Sequence, residues 1–492
     1  MQVAVCARAP DVFDCSRWGL PPDAAGEAAD RLHRCWERYH DCFTTRTHDT
    51  SKYAWYYLRG ITTMDSDRDY ANIARRVISP DDSGQNLQQF MSDSPWDARA
   101  VFIQIQADIA ARPELVGGVL TLDDSGKKRS GDQSAGAGRQ HVGREHRTVM
   151  GQVGVHLGYY HQGAWLMVDA ELYLPANWFN AGHAALRQRL HIPAGRIFQT
   201  KTELGFVMVL RALTNGLPFA VVTCDSWYGR DGKLRAALDA MEQVYVAEVP
   251  EDTRVYLERP TVVVPEKQPG VAGPHFRHPR VVSEGQPIAV RDLLTHPDLA
   301  LRPVEIRHTE RGMLTYDCAA RRVFTLGPDG RVREECLFIR QEPDDTFSFA
   351  LSNAAVETSL RELAQWRSER YFAERVYEDA KGEAGWDELV ARKYRAWMHH
   401  TAIDALALWF VAETKLDWRR QHPRDPELAN QLQVAELPAL SMANVRELLK
   451  AAMPLPQLTA EQASRLVAKH LVNRSRSTHC RLEAQRRNRA AT

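Results

Sequence analysis

Three acidic positions, far apart along the chain, stand in settings that suit divalent-cation chemistry. Two lie at the ends of short apolar runs that read as buried strands: VGGVLTLDD, ending in Asp123 and Asp124, and FAVVTCD, ending in Asp225. The third is Glu374, four residues after Arg370 and seven before Lys381. That spacing puts all three on one face of an α-helix. Alone, such a stripe also fits an exposed, salt-bridged helix face. Laid against two strand-end acids, it completes a compact acidic cluster in which like charges raise each other's pKa. Two Mg²⁺ ions, which take oxygen ligands, relieve that repulsion. A pair of ions so held supports an in-line phosphoryl displacement, acting on both the attacking and the leaving oxygen.

The elements that position these residues are legible around them. GQVGVHLGYY and AWLMVDAELYLP, separated by His161-Gln162-Gly163, read as an antiparallel hairpin. Residues 181–190 and 202–214 look helical, FAVVTCD follows, then the helical LRAALDAMEQV and the strand YVAEVP. Three strands, helices and two β-α-β strands imply a mixed sheet. The right-handed crossover rule lets the later strand lie beside the first and parallel to it. Asp123/Asp124 and Asp225 then share the C-terminal sheet edge, where open α/β sheets bind ligands.

Five regions are expected: a helical N-terminal region over 1–112, to which the family resemblance given below assigns DNA binding; the first part of an α/β core over 113–257; a β-rich insertion over 258–360; the returning core helix over 361–425; and a helical, basic C-terminal region over 426–492. The insertion is read from short β-branched segments such as RPTVVVP, RRVFTLG and FSFALS divided by Pro, Gly and Asp. The last region holds Lys469, Arg474, Arg476, Arg481, Arg486, Arg487 and Arg489, with little acid beside Glu483.

Composition sets the outer limits. The 492 residues are 44% apolar and 26% charged, enough to build ordinary cores, and 63 Lys+Arg balance 63 Asp+Glu. A uniformly basic nucleic-acid coat is excluded; a locally positive groove is not. The 8 cysteines include no C-x-x-C pair, which argues against a zinc ribbon or a disulfide framework. The longest apolar run, 402–411, is broken by Asp404 and too short for a bilayer, and MQVAVCARAPDVFD has no secretory pattern. A cytoplasmic protein with no membrane partner is expected.

The blocks LTLDDSGKKRSGDQSAGAGRQHVG, GQVGVHLGYY, DAELYLPANWF, FQTKTELG, FAVVTCDSWYG and ERYFAERVYEDAKGEAGWDE resemble insertion-sequence transposases with an RNase H-like DDE core, over roughly residues 53–412. The resemblance implies an α/β fold with an RNase H-like mixed five-stranded sheet flanked by helices. It implies Mg²⁺-dependent cleavage at transposon ends and strand transfer into target DNA, by two ions for which Mn²⁺ substitutes. Asp124, Asp225 and Glu374 become the catalytic, metal-binding acids; Asp124 is favoured over Asp123 because it immediately precedes the small hydroxyl residue Ser125. Arg370 and Lys381 match the Arg and Lys of the family's Tyr-Arg-Glu-Lys signature, and Arg367 occupies its Tyr position. Double-stranded DNA and a homodimer on paired ends are the implied partners, in a bacterial, nucleoid-associated setting. Two other readings remain: a transposase-derived DNA-binding protein without cleavage activity, and an RNase H-like structure-specific nuclease.

Other residues carry smaller expectations. GKKRSGD is not a nucleotide-binding loop, but Lys127, Lys128 and Arg129 form a basic loop suited to DNA phosphates. Asp169, inside an apolar strand, reads as structural. Glu378 and Glu383 rival Glu374. His399 and His400, adjacent on a helix, diverge by about 100° and chelate poorly. Lys52, Arg59, Arg68, Arg75 and Arg76 are N-terminal phosphate candidates. The insertion lacks Trp, so a hairpin-base pocket there would need Phe276, Tyr316 or Phe338.

Overall fold

The computed structural model describes residues 11–264, 279–309 and 312–490, with side chains of the last helix through 487. The sheet grows from β1 (Gly118–Lys128), whose Val119, Leu120 and Leu122 are buried on both faces. β2 (Gly138–Val142), β3 (Arg147–His161) and β4 (Ala164–Leu172) follow as an antiparallel meander. The expected β3–β4 hairpin turns at Gln162 (φ 46°) and Gly163 (φ 82°). Two left-handed residues in succession give the turn whose twist matches that of the paired strands.

Helix α1 (Ala24–Arg38), α2 (Ser51–Thr63) and α3 (Ala98–Ala110) precede this sheet. After it, α4 (Lys201–Thr214) begins at a capping box in which Thr200 and Glu203 exchange hydrogen bonds. α4 carries the chain across to β5 (Phe219–Cys224), and α5 (Gly232–Ala240) leads on to β6 (Tyr245–Val249). β1, β5 and β6 are parallel neighbours and β3 is antiparallel to β1, giving the order β4-β3-β1-β5-β6.

The sheet does not stop at five strands. β7 (Arg302–Thr309), β8 (Gly312–Leu326), β9 (Val332–Gln341) and β10 (Phe347–Ser352) extend it beyond β6 by antiparallel pairing of β10. With β2 the sheet has ten strands, ordered β7-β8-β9-β10-β6-β5-β1-β3-β2 with β4 also on β3. Four strands of the insertion thus continue the core sheet and do not form a sheet of their own.

Helices α6 (Leu360–Glu369) and α7 (Tyr371–Glu378) return to the core, and α8 (Tyr394–Gln421) runs through its centre. Buried residues of α8 occur all round the helix, including Ala402, Ile403, Leu406, Trp409 and Phe410, as expected of a helix enclosed by protein. It packs on β4, α2 and α3, while α1 meets α9 (Met442–Ala452). The N-terminal helices therefore share one hydrophobic core with the sheet. The chain closes with α10 (Ala460–Ala490). The result is a mixed α/β fold with a large mixed sheet flanked by helices. Among the described residues no helix is long and apolar enough to cross a membrane.

Candidate active site

Strand register decides which acids meet. The last parallel pair between β1 and β5 is Leu122 with Cys224, so Asp123 and Asp225 come next on the two chains. One step inward, the hydroxyls of Thr121 and Thr223 lie 3.1 Å apart and mark a common face. Side chains two residues on return to the same face, which places Asp123 there. β5 ends at this point: Asp225 caps the short helix Ser226–Gly229, accepting from the amides of Trp227 (3.0 Å) and Tyr228 (3.1 Å). β1 continues, and Asp123 Oδ1 accepts from the Asp124 amide at 2.7 Å.

Asp123 is paired across β3 with His156. The His156 ring lies edge-on to Tyr377 of α7, and the Tyr377 hydroxyl is 3.4 Å from its Nδ1. Asp123 therefore faces the helix that carries Glu374. Asp124 faces the other way, where Lys201 Nζ donates to its Oδ2 at 2.9 Å and the Tyr228 hydroxyl is 3.4 Å away. The sequence favoured Asp124; the pleat gives the α7 face to Asp123.

The electrostatics follow this arrangement. Burial, then the charge of Asp225, pushes the Asp123 carboxyl up to about 7. Burial also raises Asp225, against the Tyr228 amide and Arg370, which favour its charged form. Arg370 stays cationic despite burial because Glu248, Asp123, Glu374 and Asp225 all favour its charge. Its Nε donates to Glu248 Oε1 at 2.6 Å, and Arg367 reaches the same oxygen at 2.6 Å. Arg367 is buried, and burial draws its guanidinium down to about 10 despite Glu248. It is an internal ion-pair partner.

Arg370, at the junction of α6 and α7, Glu374, Tyr377 and Lys381 recur at helical spacing along the strip above Asp123. Lys381 sits in a wide π-turn, Asp379–Glu383, and donates to Ser125 Oγ at 2.8 Å. Ser125 is two residues beyond Asp123 on the same β1 face. Glu374 keeps 58% of its side chain exposed, with Arg370 Nη2 3.9 Å away. The structure thus brings Asp123 and Asp225 together and leaves Glu374 at the outer rim. Among the described residues no three His, Cys, Asp or Glu side chains are grouped closely enough to hold a metal ion.

The basic loop after Asp124 is instead the end of β1. Lys127 Nζ donates to the carbonyls of Asp387 and, at 3.4 Å, Leu389; Arg129 donates to Gln152 at 3.1 Å and to the Leu389 carbonyl. Lys128 alone of the three is exposed. The rivals to Glu374 are engaged elsewhere, Glu378 with Arg375 at 2.5 Å and Glu383 with Arg446 at 2.5 Å. Asp169 is buried between Arg99 and Arg211. His399 bonds the Met91 and Trp96 carbonyls, and His400 bonds Tyr57 and the Trp386 carbonyl. Arg68 is buried against Glu388. Tyr316 lies under the Arg340 guanidinium, Phe338 is core, and Phe276 lies outside the described residues. Sequence reasoning passed over Glu248, Lys201, His156 and Tyr377. Glu248 carried a usable signal, since YVAEVP is another strand with an acid near its end.

Comparison with known proteins places the chain in a family. A family model described as "DDE superfamily endonuclease" matches residues 38–313, more than half of the chain. The matched span includes Asp123, Asp225 and Glu248 and stops short of Arg370 and Glu374. A curated protein, "Probable transposase for insertion sequence element IS701" from Microchaete diplosiphon, is 26% identical over 172 residues, 34% of this chain and 41% of that protein. The chain thus spans about two-fifths of that relative's length.

Proposed function

Because the chain belongs to the DDE superfamily endonuclease family, we propose that it is an insertion-sequence DNA transposase, which cuts the ends of its element and joins them to target DNA. The single observation carrying this reading is the pair Asp123 and Asp225 on neighbouring strand ends, facing the helix strip that holds Arg370, Glu374 and Lys381. The order β4-β3-β1-β5-β6, with β3 alone reversed in direction, supports an RNase H-like core. The named relative supports the insertion-sequence assignment.

The donor set suits Mg²⁺, or Mn²⁺ in its place: the ligands are carboxylate oxygens, and a bound cation would favour the charged forms of Asp123 and Asp225 that burial, and for Asp123 the nearby Asp225 charge, disfavour. Asp123 and Asp225 would hold it, with Glu374 brought in from the rim as the third ligand, and when bound it supplies an activated oxygen nucleophile and neutralises charge on the phosphoryl group. In this reading Asp124 is a positioning residue that holds Lys201. Arg370 and Lys381 flank the acids and orient the scissile phosphate, and exposed Lys128 extends the track for the backbone. Water is the first nucleophile and a DNA 3′-oxygen leaves; the freed 3′-hydroxyl then attacks a target phosphodiester. The protein would act as a homodimer on paired ends at the bacterial nucleoid.

The test is a nicking assay on duplex carrying the element's ends, with Mg²⁺. Wild type is expected to nick; Asp123→Ala, Asp225→Ala and Glu374→Ala are expected to bind the duplex without nicking it. Normal nicking by both Asp225→Ala and Glu374→Ala would overturn the assignment.

A further inference from the structure

Helix α10 has no role in the catalytic reading, and its surface is unlike the rest of the molecule. It is 31 residues long, about 46 Å at 1.5 Å per residue. Nearly all of its described side chains are exposed. It carries eight Arg or Lys against two Glu, while the whole chain is neutral. The remaining residues must therefore be net negative, so this exposed helix is a net-positive segment on an otherwise net-negative molecule.

The charges are ordered around the helix. At about 100° per residue, Arg465, Lys469 and Arg476 fall within one narrow sector, shared further along by the ion pair of Glu483 with Arg487, and Arg474 and Arg481 fall on the opposite flank. The arc between these flanks carries mostly small or polar side chains, Asn473, Ser477, Cys480 and Ala484, with Leu466 and His470 toward the start of the helix. From Arg465 to Arg487 the helix covers about 33 Å, close to one turn of B-form duplex at roughly 34–36 Å.

Another copy of the same helix fits less well. The exposed apolar residues Val467, Leu471 and Leu482 would have to form the seam. Arg474, Ser475 and Thr478 stand between them, where a coiled coil needs apolar residues sustained over three or more heptads. We infer that α10 is a duplex-DNA clamp: its two basic flanks engage phosphates along about one helical turn, independently of base sequence. The inference rests on the transposase reading for its ligand and adds to it a specific surface.

The test uses the full chain in EDTA, so that binding is measured without cleavage. The probes are an end-containing duplex and a scrambled duplex of equal length, titrated over a range of KCl. Two variants are compared with wild type: Arg465→Gln/Lys469→Gln/Arg476→Gln and Arg474→Gln/Arg481→Gln. Each lost phosphate contact lowers the slope of log affinity against log salt by about 0.9, so drops of about 3 and about 2 are expected, equal on both duplexes. The charge-conserving Arg465→Lys/Arg476→Lys variant should retain the wild-type slope. Unchanged slopes in both Gln variants overturn the inference. So does a change of oligomeric state with DNA binding unaltered, which would assign the surface to a second copy. Nicking of end DNA with Mg²⁺ is scored separately. Normal nicking with unchanged slopes defeats only this inference; no wild-type nicking, with the expected slope losses, defeats only the catalytic reading.

Discussion

Replacing Glu248 by Leu should destabilise the protein far more than loss of an ordinary surface ion pair. One oxygen of Glu248 accepts from Arg370 Nε and from Arg367 at 2.6 Å each. The side chains retain only 15% (Glu248), 8% (Arg367) and 19% (Arg370) of their exposure. An exposed pair contributes about 0–1 kcal/mol. Removing one partner of a buried pair costs about 3–5 kcal/mol, because the remaining charge is left without solvent or counter-ion. Burial decides between the two, so the larger range applies to Glu248→Leu. The double variant Glu248→Leu/Arg367→Leu removes the most buried cation as well and should recover most of the loss. Urea unfolding with an unchanged slope and a lowered midpoint would measure this directly. Nicking should also fall in Glu248→Leu below the level explained by unfolding, since Arg370 loses its anchor. A single variant costing under about 1 kcal/mol, or a double variant no more stable than the single, would refute the reasoning.

Three further outcomes are expected. Asp123→Asn should lower nicking by more than the roughly 10–100-fold that loss of a supporting partner costs, whereas Asp124→Asn should stay within that range; equal losses would refute the face assignment. The buried histidines should contribute a loss of stability as pH drops below about 6.5, because burial holds His156 and His399 near 3 and His400 near 4 in the folded chain; Asp123 and Glu369, raised by burial to about 7, act in the opposite sense, so the histidine contribution is read from variants. Above the unfolded value their contribution is fully present. Between about pH 6.5 and 4 the unfolded chain takes up protons that the folded chain excludes, at about 1.4 kcal/mol per pH unit for each histidine; a stability difference between wild type and His399→Gln that stays constant between pH 7 and pH 5 would contradict this. Asp169→Ala should cost about 3 kcal/mol or more by leaving Arg99 and Arg211 with Glu171 as their remaining acid, and nicking per folded molecule should be unchanged.

The parts of the site readable from the sequence were those set by local pattern. Apolar runs ending in acids located β1 and β5, and the spacing of Arg370, Glu374 and Lys381 located the helix beside them. The choice between Asp123 and Asp124 was not local. It depended on which face of β1 pairs with β5 and which receives α7, and neighbouring strand residues point in opposite directions. Lys127 and Arg129 looked like a basic loop open to DNA phosphates because their partners, the carbonyls of Asp387 and Leu389 and the side chain of Gln152, come from distant or cross-strand positions. The insertion's strands were legible as strands, but their antiparallel attachment to β6 is a long-range pairing that composition does not encode. Glu248 was missed for the same reason: its importance comes from two arginines more than a hundred residues away.

The continuity of β6 with β10 has a mechanical consequence. β6 from Val246 to Val249 is paired in register with β10 of the insertion. Excising β7–β10 would strip that row of amides and carbonyls bare and turn an interior strand into a rim. A raw rim recruits other chains and aggregates, and this one bears the carboxylate that secures two arginines. The insertion is therefore not a detachable lid; it is the selvedge that keeps the catalytic fabric from fraying.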